Sequence, residues 1–372
     1  MTVGHVGALG LTEARDKARN FHAMAKDGID PRELIRNKKE EKLEDSRLTF
    51  QSVSVEFINR YCKGKDDKGN GRLRTATLAE YERILNASEF KAWEKRSIRT
   101  IDRKTILQAL DSVVDRGAPI MANRYSAVLS KLLNWSFERG YIHEIPPVPK
   151  PGKENQRDRI LSNHEIAEVW NAAGKKEGLF GNIVKLLLLT GQRRGEVSGM
   201  CWNELHDLDK KTARWIIPAT RSKNGIEHNV SLSPLAVQII ESLPRIAKSP
   251  YCFTTTGKTP TSGFTNMKER LDKLIADNRV EKKQEEAMPP WMLHDLRRTA
   301  ASGMARLNVP PHIVEKILNH TGGEISGVAA VYNRHEYAGE KQNALNAWSS
   351  YVANQISGKK DNNVRYLNKS AQ

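Results

Sequence analysis

Six side chains in the second half of this 372-residue sequence could together act on a phosphate ester. They are two arginines, one lysine, two histidines and one tyrosine: Arg193, Lys223, His294, Arg297, His320 and Tyr332. Guanidinium groups offer paired N–H donors that match phosphate oxygens. Histidine and lysine can move protons, and a tyrosine hydroxyl becomes a nucleophile when nearby cations favour its phenolate. Residues of these types suit the binding of an anion such as a phosphate.

Each of these residues also has an ordinary structural explanation when it is taken alone. An arginine beside a helix start can face solvent, a lysine can keep a turn soluble, and a tyrosine in an apolar stretch usually packs in a core. Zinc is a further alternative, because His294, His312 and His320 lie in one region. A zinc site would also need cysteine or carboxylate partners at short spacing, and none of the candidates is convincing. We therefore expect no metal and no other cofactor.

The order of the motifs along the chain is more specific than any one of them. They are T-G-x-R-x-x-E, a hairpin lysine, H-x-x-R, a late histidine and a tyrosine followed by Asn-Arg: Thr190–Glu196, Lys223, His294–Arg297, His320 and Tyr332. Each motif is weak by itself, but five of them in this order along the chain form a strong signature. The pattern resembles the tyrosine recombinase family, and within it the integrases of temperate phages and genomic islands. The resemblance covers nearly the whole chain.

The resemblance implies that Arg193 and Arg297 hold the scissile DNA phosphate while Tyr332 attacks it. Attack leaves a 3′-phosphotyrosine, which conserves the bond energy so that another DNA end can be joined without ATP. The next tyrosine, Tyr337, is the competing nucleophile. We favour Tyr332 because Tyr-Asn-Arg matches the integrase pattern.

The remaining residues are assigned proton transfer and phosphate binding by the same resemblance. Lys223 would protonate the departing 5′-oxygen, His294 would handle the tyrosine proton, and His320 would hydrogen-bond the phosphate. Glu196 is predicted to be structural, holding the turn that bears the first arginine. Asn319 stands where the family usually has glycine, which leaves the shape of that turn open.

The hydrophobic periodicity predicts a mainly α fold with a small antiparallel β-sheet. Thr12 is expected to cap a helix, further helices are expected to begin at Thr49 and Asp102, and a capping box at Ser162 and Glu165 is expected to start another. The pattern becomes alternating at 214–217 and 228–232, and Asn224-Gly225 lies between them as a hairpin signal. Residues 36–42 are predicted to be either a linker or a solvated helix.

Five segments follow from these patterns and from the resemblance. We expect a partial arm-type DNA-binding segment and linker (1–45), a helical core-binding domain (46–145), a proline-rich linker (146–159), a catalytic domain (160–345), and a C-terminal helix with a disordered tail (346–372). The two larger domains would form a C-shaped clamp around duplex DNA. Only the end of the arm-type domain is recognisable, so either the sequence begins inside it or arm-site binding is impaired.

The composition fits a nucleic-acid partner and a reducing compartment. Lys and Arg number 60 against 44 Asp and Glu, a net charge of +16, which favours polyanions such as DNA. No apolar run approaches the roughly 20 residues of a membrane span. Cys62, Cys201 and Cys252 lie far apart, so neither disulfides nor zinc are expected. We expect a bacterial cytoplasmic protein associated with the nucleoid.

The resemblance also implies an assembly and leaves two rival functions. The expected partners are double-stranded attachment sites, an excisionase and a DNA-bending host factor, with a tetramer formed on DNA by exchange of C-terminal helices. Ala344, Leu345, Ala347 and Trp348 could make that exchange, or the same stripe could pack within one chain. The rivals are a type IB topoisomerase and a non-catalytic DNA-binding regulator on the same scaffold.

Overall fold

The computed structural model describes residues 7, 10–65, 71–155, 157–175, 178–284, 286–320 and 335–358. The chain divides into two compact units, residues 1–156 and 157–372, each with its own hydrophobic core. Both are dominated by helices, and the second also contains a small antiparallel sheet. The predicted fold class is therefore confirmed. In the described residues no helix is long and apolar enough to cross a membrane.

The first unit is entirely helical in its described part. Its α-helices are α1 (Leu11–Lys26), α2 (Pro31–Arg47), α3 (Phe50–Glu56), α4 (Thr75–Leu85), α5 (Arg103–Asp115) and α6 (Pro119–Glu138). A π-helical stretch, Phe57–Cys62, continues α3, and 3₁₀ turns lie at Ser88–Trp93 and Ile98–Thr100. The core residues include Phe57, whose ring stacks on Tyr61 with centroids 5.1 Å apart.

Side-chain capping marks the start of three of these helices, α2, α3 and α5. Helices were predicted to begin at Thr49 and Asp102, and the side chains of these residues accept hydrogen bonds from Ser52 N and Thr105 N as the caps of α3 and α5. The prediction for Thr12 is wrong, because α1 already begins at Leu11 and its cap, Gly10, contributes no side-chain bond. Residues 36–42 belong to α2 and are exposed, so the solvated helix, rather than the linker, is correct.

The second unit contains the remaining helices and all three strands. The helices are α7 (Asn163–Lys175), α8 (Gly178–Thr190), α9 (Arg194–Ser198), α10 (Pro234–Glu241), α11 (Phe264–Glu281), α12 (Leu293–Arg306), α13 (Pro311–Ile317) and α14 (Ala338–Ser357). The predicted capping box precedes α7: Ser162 N donates to Glu165 over 2.7 Å, and Glu165 N donates to Ser162 Oγ over 3.3 Å.

Helix α8 is the centre of this unit, because most of its side chains are buried. Helices α7, α12 and α14 pack around it. The ring of Trp348 on α14 is fully buried, and its Nε1 donates to the carbonyl of Leu188 over 2.8 Å. Ala344, Leu345 and Trp348 of the C-terminal helix are therefore packed within their own chain, whereas Ala347 is exposed.

The sheet has the order β1 (Leu205–His206), β2 (Arg214–Ile217) and β3 (His228–Ser231), all antiparallel. The alternating segments of the sequence are thus strands β2 and β3, paired with Ile217 opposite His228. Asn224-Gly225 does not form a two-residue hairpin turn. It lies inside a longer connection, residues 218–227, and β1 was not predicted because two residues carry no periodicity.

Candidate active site

Arg193 lies in a tight turn between α8 and α9. The turn needs glycine at 191, because the residue has φ +64° and an added Cβ would lie 3.0 Å from Leu318 Cδ2. The backbone N–H of Arg193 donates to Glu196 Oε2 over 3.0 Å, and its guanidinium donates to Glu196 Oε1 over 3.1 Å. Glu196 is itself buried. This carboxylate therefore fixes both the backbone and the side chain of Arg193.

Arg297 projects from α12 into the interior and is only 4 % exposed. Its guanidinium donates to the carbonyls of Gly191, over 2.8 Å, and Leu318, and to His320 Nε2 over 2.9 Å. Burial, followed by repulsion from Arg193, lowers the pKa of Arg297 to about 10. The group remains cationic at neutral pH. In the described part of the chain no carboxylate is hydrogen-bonded to it, although Glu196 and Glu315 act on it through their charges.

His320 follows α13 and is held on both ring nitrogens. Its Nδ1 lies 2.7 Å from Glu315 Oε2, and its Nε2 receives the hydrogen bond from Arg297. Because an arginine can only donate, Nε2 must accept and the ring proton must lie on Nδ1. The imidazole is therefore oriented by a carboxylate on one side and by a catalytic candidate on the other.

Asn319, immediately before that histidine, has the left-handed φ of +51°. This conformation explains why a glycine suits the position, and asparagine is among the side chains that best tolerate it. Its backbone oxygen accepts hydrogen bonds from Arg193, over 3.3 Å, and from Asn224 Nδ2. The departure from the family pattern therefore leaves the turn intact.

His294 lies in the first turn of α12, three residues before Arg297. Asp295 secures this turn: its carboxylate is fully buried, accepts from Met292 N over 2.8 Å and bonds Arg298 over 2.6 Å. Desolvation by its neighbours, then the charges of Arg298 and Arg297, lower the pKa of His294. The imidazole lines a cleft of about 600 Å³ and favours its neutral form.

Lys223 is exposed and belongs to the connection between β2 and β3. Its backbone N–H reaches Glu196 Oε1 at 3.4 Å, so the same carboxylate contacts both the Arg193 turn and the lysine loop. At the start of the loop, Arg221 forms two hydrogen bonds with buried Glu204, of 2.7 and 2.8 Å. The loop is therefore anchored by its backbone while the ammonium faces solvent.

Tyr332 lies outside the described residues, so its assignment as nucleophile stays a prediction. The competing Tyr337 is described: it has the left-handed φ of +49° and precedes α14. Its ring is partly buried and packs edge-on against His312 and His335, at centroid distances of 5.3 and 4.6 Å. In the described residues no group of histidines, cysteines or carboxylates could hold a metal ion.

The structure thus brings Arg193, Arg297 and His320 into one hydrogen-bonded group, with His294 on the same helix as Arg297 and Lys223 on an adjoining loop. Sequence reasoning missed Glu315 as the partner of His320 and did not foresee the part played by Asn319. Glu315 meets His320 locally, five positions away near the end of α13, whereas the contacts of Asn319 depend on the tertiary fold. Of these two residues, only Asn319 could have been singled out from the sequence, because the family usually has glycine at its position.

Comparison with known proteins shows the family of this chain. The phage integrase family model matches residues 153–338, and the chain belongs to this family. It is a site-specific tyrosine recombinase. It is similar to the prophage integrase IntA of Escherichia coli K12, with 24% identity over 95% of this chain and 82% of that protein.

Its fold is similar to those of two solved integrases. A lambda integrase tetramer bound to a Holliday junction matches 76% of this chain and 81% of its own, with a TM-score of 0.56 and 18% identity. The Tn1549 transposon integrase in complex with circular intermediate DNA matches 77% of this chain and 96% of its own, with a TM-score of 0.56 and 15% identity.

Proposed function

We propose that this recombinase integrates and excises a mobile genetic element, with Tyr332 as nucleophile and Arg193 and Arg297 as the phosphate-binding pair. The observation that carries the proposal is the position of Arg297. Its guanidinium is buried, and the groups bonded to it in the described chain are two carbonyls and a histidine. A buried cation with neutral partners attracts an anion. A DNA phosphate beside the Arg193 turn would supply that anion.

The chemistry that follows is an in-line transfer of one phosphoryl group. The Tyr332 hydroxyl oxygen forms a bond to phosphorus, the bond from phosphorus to the 5′-oxygen breaks, and the negative charge that builds on the other phosphate oxygens faces the two arginines. The product is a 3′-phosphotyrosine and a free 5′-hydroxyl. Attack by a different 5′-hydroxyl reverses these steps and joins the new strand without an energy source.

Two proton transfers accompany the exchange. The tyrosine loses a proton when its oxygen attacks, and His294 is suited to accept it because its lowered pKa keeps the imidazole neutral near pH 7. The departing 5′-oxygen needs a proton, for which Lys223 is the donor in this proposal. The backbone N–H of Lys223 contacts Glu196, and the same carboxylate holds the turn that bears Arg193.

We assign DNA binding to both units. The first unit would grip the core site, helped by a net charge of +16 for the whole chain, and residues 1–45 would contact arm sites. Recombination joins two sites, so a tetramer on DNA is expected, as in the lambda integrase structure with a Holliday junction. An excisionase and a DNA-bending host factor are the proposed accessory partners, acting at the nucleoid of a bacterial cytoplasm.

Covalent capture of DNA tests the nucleophile. The probe is a duplex of the sequence found at the junctions of the element that encodes the chain, with a nick beside the cleavage point so that the short end is lost; we call it the nicked junction duplex. Tyr332→Phe should abolish covalent capture and leave DNA affinity within a few-fold. The matched control, Tyr337→Phe, should still capture the DNA covalently. The reverse result would move the nucleophile to Tyr337.

The same preparation separates the rival functions. Joining of two attachment sites supports an integrase, whereas relaxation of supercoiled plasmid without any joining would indicate a topoisomerase. Binding with no covalent capture by the unmodified chain would indicate a regulator that has lost catalysis.

A further inference from the structure

Asn319 has a side-chain contact that a glycine at the same position could not make. Its Nδ2 donates to Ser222 Oγ over 3.0 Å, and Ser222 immediately precedes Lys223. Ser222 is fully buried and Asn319 is partly buried, so this hydrogen bond is partly shielded from solvent. A partly buried hydrogen bond between two loops limits their relative movement.

The backbone of Asn319 makes two further bonds to the same neighbourhood. Its carbonyl accepts from Asn224 Nδ2, on the other side of Lys223, and from the guanidinium of Arg193. The residues flanking Lys223 are thus both bonded to Asn319. The next residue after Asn319 is His320, which is bonded to Arg297.

We infer that Asn319 is a positioning residue, which sets the loop of Lys223 against the phosphate-binding arginines through the hydrogen bond to Ser222. This inference rests on the proposed role of Lys223 as the donor of the proton to the 5′-oxygen. A misplaced proton donor slows bond breaking without abolishing substrate binding. The reason is that a small displacement of a catalytic group removes much of the rate acceleration it provides.

Asn319→Gly tests the inference without disturbing the backbone, because glycine adopts a φ of +51° at least as readily as asparagine. The substitution Ser222→Ala removes the acceptor oxygen of the same hydrogen bond. Asn308→Gly is the matched control: Asn308 has a φ of +62° just after α12 and likewise loses only its side chain. Thermal melting verifies that all variants are folded.

The readout uses two versions of the nicked junction duplex, one normal and one with sulfur in place of the bridging 5′-oxygen. A thiolate leaves without protonation because thiol pKa values lie near 8.5, so the sulfur substrate does not need the lysine. Asn319→Gly and Ser222→Ala should each slow covalent capture of the normal substrate roughly ten-fold. The double variant should be no slower than either single one, and all should match the unmodified chain within about two-fold on the sulfur substrate.

Two results would overturn the inference. One is a normal rate for Asn319→Gly on the oxygen substrate, and the other is an equal loss on both substrates, which would mean a general structural defect. The variant Lys223→Ala distinguishes failure of the positioning role of Asn319 from failure of the proposed role of Lys223. If sulfur restores Lys223→Ala but not Asn319→Gly, only the positioning role fails; if sulfur restores neither, Lys223 is not the proton donor and both proposals fall.

Discussion

Arg297 donates a hydrogen bond to His320 Nε2 over 2.9 Å, and this contact helps to join α12 to the turn that follows α13. The same guanidinium also spans the carbonyls of Gly191 and Leu318. One planar group therefore organises three backbone segments around a buried positive charge. The fork geometry of arginine is needed for this, because the donors point in fixed directions.

Arg297→Lys should slow covalent capture of the nicked junction duplex by about 100-fold or more, since an ammonium cannot satisfy both carbonyls and still face a phosphate. Overall DNA affinity should change little, because most of it comes from other cations. Arg298→Lys is the matched control, as Arg298 is bonded to Asp295 instead. Equal effects of the two substitutions in single-turnover assays would contradict a special role for Arg297.

Glu315 should matter through His320, to whose Nδ1 it is bonded at 2.7 Å. Glu315→Ala removes the acceptor that fixes the ring, and we expect capture to slow about three- to ten-fold, the equivalent of one hydrogen bond. Glu315→Gln keeps an acceptor oxygen and should lose less. Glu241→Ala, an exposed carboxylate at the end of α10, is the control. A Glu315→Ala rate equal to that control would show that His320 needs no such support.

The parts of the fold that could be predicted from the sequence are those that depend on neighbouring residues. The capping box of Ser162 and Glu165 spans three positions, and the alternation of β2 is contained in four residues. The hydrogen bond between Asn319 and Ser222 joins residues 97 positions apart, so no local pattern reports it. The motif spacing predicted that Arg193, Arg297 and His320 lie together, but not which carbonyls and carboxylates hold them.

His228 should make stability depend on pH. The ring is buried, its Nε2 donates to the Ile317 carbonyl over 3.0 Å, and burial lowers its pKa to about 4. Unfolded histidine binds a proton below about pH 6.5, whereas the native residue stays neutral until about pH 4. Between these values the unfolded state binds more protons, so the free energy of unfolding falls as the pH falls, by on the order of 3 kcal/mol in total.

Urea unfolding at several pH values between 7 and 4.5 measures this loss. His228→Gln keeps a donor for the carbonyl but cannot titrate, so its stability should decline less steeply over that range. The control, His206→Gln, changes an exposed histidine of the same unit and should decline as the unmodified chain does. Parallel curves for all three proteins would mean that His228 is not the group responsible.

Gly303 should be among the positions of α12 least tolerant of a larger side chain. A Cβ there would lie 2.1 Å from Cζ3 of the Trp348 ring, which is fully buried and bonded to Leu188, so the C-terminal helix would have to move. Gly303→Ala should therefore lower the free energy of unfolding by about 1–3 kcal/mol, in the range of overpacked cores.

Gly339→Ala is the matched control, because a Cβ at that position of α14 meets nothing within 4 Å. The control should be neutral or stabilising by about 0.5–1 kcal/mol, since glycine weakens helices. Chemical denaturation of both variants distinguishes the effects, and equal stabilities would show that α14 does not need its close approach to α12.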